Sequence, residues 1–273
     1  MERTAPPVGH LPNHHVEHVM GMAVSLDVRD HGSTAAIDEA VSWLHHVDAT
    51  FSTHRLDTPV SRLGLGELTL DEMPDEVLGV LRRCEELHDD TGGVFDVLAV
   101  PAPNGSHLDP SGLVKGWSLE RAAEILERHG AHHFCINGGG DLVVRGEASA
   151  GEPWRVGIRH PDDPSQTAAV IEVSGHAAVA TSGSYERGAH IIDPTTGEPT
   201  TDLASVTIVG TDLGDVDAYA TAVYAMGVDG LTWLTIRHPD HHGFVVTRDG
   251  RTFETPGFAQ LRAGGRRGVL GRD

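Results

Sequence analysis

Apolar residues recur along this chain at two different periods. Between residues 18 and 28 the stretch HVMGMAVSLDV alternates like a first strand, with Met20 and Gly21 near its middle. From 35 to about 48 the period lengthens: Ala36, Ile37, Ala40, Val41 and Leu44 fall on one helical face, with Ser33 ahead of them as a cap. FSTHRLDTPVSRLG then reads as a loop. Residues 75–88, DEVLGVLRRCEELH, predict a second amphipathic helix, ending before the turn residues Asp89-Asp90-Thr91-Gly92-Gly93. A Pro/Asn/Gly loop covers 101–107, and Ser118 caps a third helix, LERAAEILERHG, stopped by Gly130.

The second half is strand-rich. HHFCIN and LVVRG flank Gly138-Gly139-Gly140-Asp141, so the glycines join two strands. A dinucleotide fingerprint needs strand, glycines, then helix, and fails here on context. A tight hairpin and a close backbone approach to a ligand both remain open for this turn. WRVGIRHP, AAVIEVSG, HAAVATSG, ASVTIVG and HGFVVTRDG read as further strands, with a late helix from about 217 to 226. LTWLTI is a short helix or strand before a final hairpin. The reading is α+β, antiparallel sheet flanked by helices. It predicts a disordered segment at 1–15, a single domain over 16–260 and a disordered basic tail over 261–273.

Composition narrows the function. At 273 residues and a net charge of −20, the chain can bury a full core and is not a general nucleic-acid binder, which would neutralise phosphates with Lys and Arg. Cys84 and Cys135 lack metal-site spacing and read as reduced, buried thiols. The polar N-terminal stretch has no signal-peptide pattern, and no window suits a membrane helix, so a cytoplasmic protein without membrane insertion is expected. The pairs His14-His15, His45-His46, His132-His133 and His241-His242 put neighbours on different faces, and no HExxH or Cys/His cluster accompanies them. Lys115 is the sole lysine among 20 basic residues, a point charge where arginine serves everywhere else.

Chemistry concentrates between 181 and 221. Ser184, Tyr185 and His190 precede Ile191-Ile192 and the turn Asp193-Pro194-Thr195-Thr196-Gly197. Neither Ser182 nor Ser184 sits in the GxSxG elbow of a hydrolase. Asp217 and Thr221, at i and i+4 of the late helix, aim a carboxylate and a hydroxyl at one point. Two hard oxygen ligands so placed suit Mg²⁺, although Asp217 alone could be only a helix cap.

In order, VMGMAVSLDV, FSTHRLDTPVSRL, TGGVFDV, LDPSGLVKGWSLERAAEIL, INGGGDLVVRG, ATSGSYER, HIIDPTTGEP and DAYATAVYAMG span about 20 to 227. This series resembles the ApbE-type flavin transferases, the FAD:protein FMN transferases. The resemblance implies a T-fold-like α+β architecture with a central FAD cleft. It implies Mg²⁺-dependent transfer of FMN from FAD to a threonine hydroxyl of an acceptor protein, with release of AMP. It places Met20, His54, Val94, Phe95, Asp96, Asp109, Lys115 and Ile191 around the flavin nucleotide. It gives the magnesium to the Gly112 carbonyl, Asp217 and Thr221, and transfer to His190. The chain departs from the family where His54 replaces a tyrosine, where Pro59-Val60 replaces an acidic residue, and in a short connection from Asp96 to Asp109.

Attack of a hydroxyl on a pyrophosphate needs charge neutralisation, in-line approach and a proton acceptor. Lys115 adds positive charge, and His190, ordinarily titrating near pH 6.5, is a general base or a substrate-orienting group, with Asp193 behind it. Two alternatives keep the same residues: an FAD pyrophosphatase giving FMN and AMP, and a non-catalytic FAD carrier.

Overall fold

Strand alternation assigns each side chain of the sheet to one of two faces. The computed structural model describes residues 14–30, 33–99, 101–163, 165–183 and 202–264. The strands are β1 (His14–Val19), β2 (Met22–Val28), β3 (Phe134–Gly138), β4 (Asp141–Gly146), β5 (Trp154–Arg159), β6 (Thr167–Val173), β7 (Gly175–Gly183), β8 (Leu203–Gly210), β9 (His242–Thr247) and β10 (Thr252–Glu254). Eight of them form one antiparallel sheet in the order β1-β2-β3-β4-β7-β8-β9-β10, and β5 and β6 pair apart.

The helices are α1 (Thr34–Phe51), α2 (Pro59–Gly64), α3 (Asp75–Asp90), α4 (Ser111–Arg128), α5 (Leu213–Met226), α6 (Gly230–Arg237) and α7 (Pro256–Leu261). Val24, Leu26, Ile136, Val143, Ala180, Val206 and Ile208 point to one face, where they meet Leu44, Leu87, Leu119, Leu126 and Val223 of the helices in a first core. Val144, Val179, Val209, Phe244 and Val246 point to the other face, covered by Trp154, Val156, Ile171 and Val173 of the β5–β6 hairpin and by Phe258 and Leu261. The antiparallel sheet flanked by helices is thus the expected α+β class, with a second, smaller core behind it.

Local chemistry explains the departures from the sequence reading. The stretch 18–28 is two strands, because Met20 (φ 54°) and Gly21 (φ 72°) make a two-residue turn with both φ positive, and alternation reads on through such a turn. The first strand also begins at His14, inside the segment expected to lack structure. The loop after α1 contains α2, whose Pro59 follows Thr58 as N-cap with its side chain accepting the Ser61 N–H. The same Thr-Pro start opens α7 at Thr255-Pro256, which carries order through Leu261 and Arg262, beyond the expected domain end. Ser118 does not cap the third helix. It lies inside α4, its hydroxyl bonding back to the Lys115 carbonyl at 2.8 Å. Gly112 and Lys115 are therefore helical residues and not loop residues.

Candidate active site

Gly112, Gly116 and Glu120 recur every fourth residue on α4, and Leu213, Asp217 and Thr221 do so on α5. Each triplet is one stripe, rising about 6 Å per step. The stripes pack on each other in opposite directions. A Cβ at Gly116 would lie 2.3 Å from the Leu213 carbonyl oxygen and 2.9 Å from the Asp217 Cβ, so only glycine admits this approach. One turn on, Glu120 Oε2 accepts the Leu213 N–H at 3.0 Å, satisfying an orphan donor at the start of α5. That register directs the first turn of α4, with Gly112, toward the Asp217–Thr221 end of the α5 stripe. Asp217 is not the helix cap; Asp212 is, accepting the Asp215 N–H at 3.0 Å.

Asp141 opens β4 directly after the Gly139-Gly140 turn (φ 61° and 96°) and shares the sheet face of Val143, toward α4. Its Oδ1 accepts the Thr181 N–H at 3.0 Å. Its Oδ2 lies 2.6 Å from Lys115 Nζ, which in turn is 3.5 Å from Asp217 Oδ1. Asp217 Oδ2 accepts the Gly116 N–H at 3.1 Å. The side chains of Asp141 and Asp217 are only 1% and 5% exposed, so two buried carboxylates share one ammonium. Burial pushes the Asp217 carboxyl up to about 7; Lys115 opposes this and Asp141 adds to it. Beside them, Thr221 Oγ1 is 3.4 Å from Ser182 Oγ on β7.

This donor set fits a hard divalent cation. It offers a carboxylate, a hydroxyl and backbone oxygen, and two buried carboxylates face one ammonium, which is a shortage of positive charge. Among the described residues no three His, Cys, Asp or Glu side chains converge as a metal cluster, and the histidine pairs build none.

The remaining expected residues divide. Val94, Phe95 and Asp96 lie on the turn after α3, tied down by Thr91 Oγ1 accepting the Phe95 N–H at 2.9 Å and Asp96 Oδ1 accepting the Leu98 N–H at 2.8 Å. The Phe95 ring is core, packed 3.2 Å from where a Gly112 Cβ would stand, so it supports the α4 start from below. Asp109 joins the same turn through its N–H to the Val97 carbonyl at 2.9 Å and holds the Ser111 N–H at 3.1 Å. Met20 reaches α4 from the β1–β2 turn, its sulfur 3.7 Å from Ser118 Oγ. His54 is exposed on the turn between α1 and α2. Ser184, Tyr185, His190, Ile191 and Asp193 lie outside the described residues.

Two residues that the sequence reading passed over belong here. In sequence Asp141 is only the end of a glycine turn, and nothing local reveals that its partner is Lys115. Glu120 looked like one charge of an amphipathic helix. It is buried against Arg145 of β4, which also donates to Glu127 at 2.9 Å. Burial works against its ionisation, but His176, Arg145 and the Leu213 N–H outweigh that and lower its pKa.

The fold is that of solved flavin transferase structures. The chain superposes on "Flavin Transferase ApbE from Vibrio cholerae" with a TM-score of 0.78 at 23% identity, covering 91% of this chain and 98% of that one. It superposes on the apo flavinyl transferase ApbE of Pseudomonas stutzeri with a TM-score of 0.79 at 22% identity, covering 92% and 97%. The ApbE family model matches residues 20–104 and 99–245, and the chain belongs to the ApbE family. Curated relatives named FAD:protein FMN transferase include those of Klebsiella pneumoniae, 30% identical over 57% of this chain and 47% of the relative, and Treponema pallidum, 30% identical over 68% and 57%. The chain thus spans about half the length of these relatives.

Proposed function

We propose that this chain transfers the FMN half of FAD to a threonine hydroxyl of an acceptor protein and releases AMP. The observation that carries the reading is the buried Lys115–Asp141–Asp217 junction beside Thr221, in a chain of the ApbE family. Mg²⁺ held by the Gly112 carbonyl, Asp217 and Thr221 would supply Lewis-acid neutralisation of the pyrophosphate. Lys115 brings the ammonium nearest that position. The reading assigns Met20, His54, Val94, Asp96, Asp109 and Ile191 to the flavin nucleotide, and Phe95 supports the site by packing under Gly112.

In this reading His190 takes the proton from the acceptor threonine, with Asp193 assisting it. The threonine Oγ forms a bond to the FMN phosphorus as the bridging P–O bond breaks, and AMP leaves with the bridging oxygen. Free Cys84 and Cys135 accord with a reducing, cytoplasmic setting, and none of the described helices is long and apolar enough to cross a membrane.

The test is incubation with FAD, Mg²⁺ and a threonine-bearing acceptor, with the products separated chromatographically. Flavin bound covalently to the acceptor supports transfer. Free FMN and AMP without adduct would replace it by a pyrophosphatase, and unchanged FAD by a carrier.

A further inference from the structure

Lys115 has two carboxylates in reach and stands unequally between them. Its Nζ is 2.6 Å from Asp141 Oδ2 and 3.5 Å from Asp217 Oδ1. Asp141 cannot follow the lysine elsewhere: its other oxygen is fixed by the Thr181 N–H at 3.0 Å, and its backbone starts β4 opposite Gly138. Asp217 is likewise fixed through the Gly116 N–H. The flexible member is the lysine, so the nearer carboxylate decides where its charge rests.

We propose that Asp141 is a positioning residue that holds the Lys115 ammonium away from Asp217, so that Asp217 stays available to a divalent cation and Lys115 stays aimed at a phosphate. This rests on the cation reading of Asp217 and Thr221 given above. Two effects act in the same direction. Without the Asp141 charge, Lys115 closes on Asp217 and competes with the cation for the same oxygen. The local charge also rises from one net negative to zero, which removes the attraction for a divalent ion. The Asp141 carboxylate therefore aids metal binding without touching the metal, as partners behind ligands do at other sites. Its place after three glycines follows from this role, because Gly139 and Gly140 turn the chain sharply enough to set the side chain under α4.

The experiment is calorimetric titration of the flavin-free protein with Mn²⁺ and with Mg²⁺. It compares wild type, Asp141→Asn and the double variant Asp141→Asn/Lys115→Met, with thermal melts as a fold control. Asn keeps an acceptor for the Thr181 N–H. Asp141→Asn is expected to bind Mn²⁺ about 10- to 100-fold more weakly. The double variant, lacking the competing ammonium, is expected to recover about tenfold of that loss while remaining deficient in FAD turnover. Asp141→Asn binding as tightly as wild type overturns the role of Asp141 alone. So does a double variant as weak as Asp141→Asn, since the loss then comes from distortion of the β4–β7 junction. A wild-type chain that takes up neither ion overturns this role together with the cation reading beneath it.

Discussion

Asp217 serves helix packing with one oxygen and charge with the other. Its Oδ2 holds the Gly116 N–H, and its Oδ1 faces Lys115. Asp217→Asn keeps the shape and the hydrogen-bond acceptor while removing the charge. It is expected to weaken Mn²⁺ binding at least about 100-fold and to shift the unfolding midpoint by no more than a few degrees, because the charge removed is one that burial disfavours. Calorimetry and a thermal melt check both halves; unaltered Mn²⁺ affinity would remove Asp217 from the ligand set. At this scale the sequence was informative where a pair lay on one element. Asp217 and Thr221 declare themselves by four-residue spacing, and Lys115 by being the chain's one lysine. Asp141 and Glu120 did not, because each is defined by a partner on another element.

Among the elements, α4 and α5 are fixed in register by a glycine contact and a carboxylate. Gly116→Ala puts a methyl 2.3 Å from a backbone oxygen that no side-chain rotation can move. The better helix propensity of alanine, worth about 1 kcal/mol, is outweighed by overpacking of about 1–3 kcal/mol or more. Net destabilisation in urea and weaker Mn²⁺ binding are expected together. Gly79 on α3 is the contrast: a Cβ there meets nothing within 4 Å, so Gly79→Ala is expected to stabilise by up to about 1 kcal/mol with no change in Mn²⁺ binding. If both substitutions shift stability alike, the α4–α5 contact is not what constrains Gly116. The same contact explains why α4 starts at Ser111 and not after Ser118, where the sequence places it. Gly112 and Gly116 weaken helix propensity over its first turns, and the packing against α5 overrides it. The Thr-Pro starts of α2 and α7 were legible signals, obscured by the loop-like residues around them. The β1–β2 turn was not, since alternation continues unbroken across two residues with positive φ.

Across the whole molecule, stability should follow two acid transitions. His241, where α6 meets β9, is lowered to about 4 by burial first and by His238 next, and its Nδ1 is buried without a hydrogen-bond partner among the described residues. The unfolded chain binds that proton near pH 6.5 and the folded chain only near 4, so this contribution is intact above about 6.5 and falls away between about 6.5 and 4, by at most about 3 kcal/mol. Glu120, with its pKa lowered, adds a separate loss as pH drops below its unfolded value of about 4.5 and through its folded one. Urea unfolding at pH 7.5, 5, 4 and 3 should show both steps, and His241→Leu should flatten most of the first; an equal loss in that variant would assign the step elsewhere. The two cores and the sheet order hold α4, α5 and Asp141 together, and the function rests on that assembly. The deciding measurement is mass spectrometry of a threonine-bearing acceptor after incubation with FAD and Mg²⁺, with AMP quantified in the same reaction, for wild type and Asp217→Asn. The expected result is an FMN adduct on threonine matched by an equal amount of AMP from wild type, with both lost in Asp217→Asn. An adduct formed equally well by the variant, or AMP released with no adduct, would contradict it.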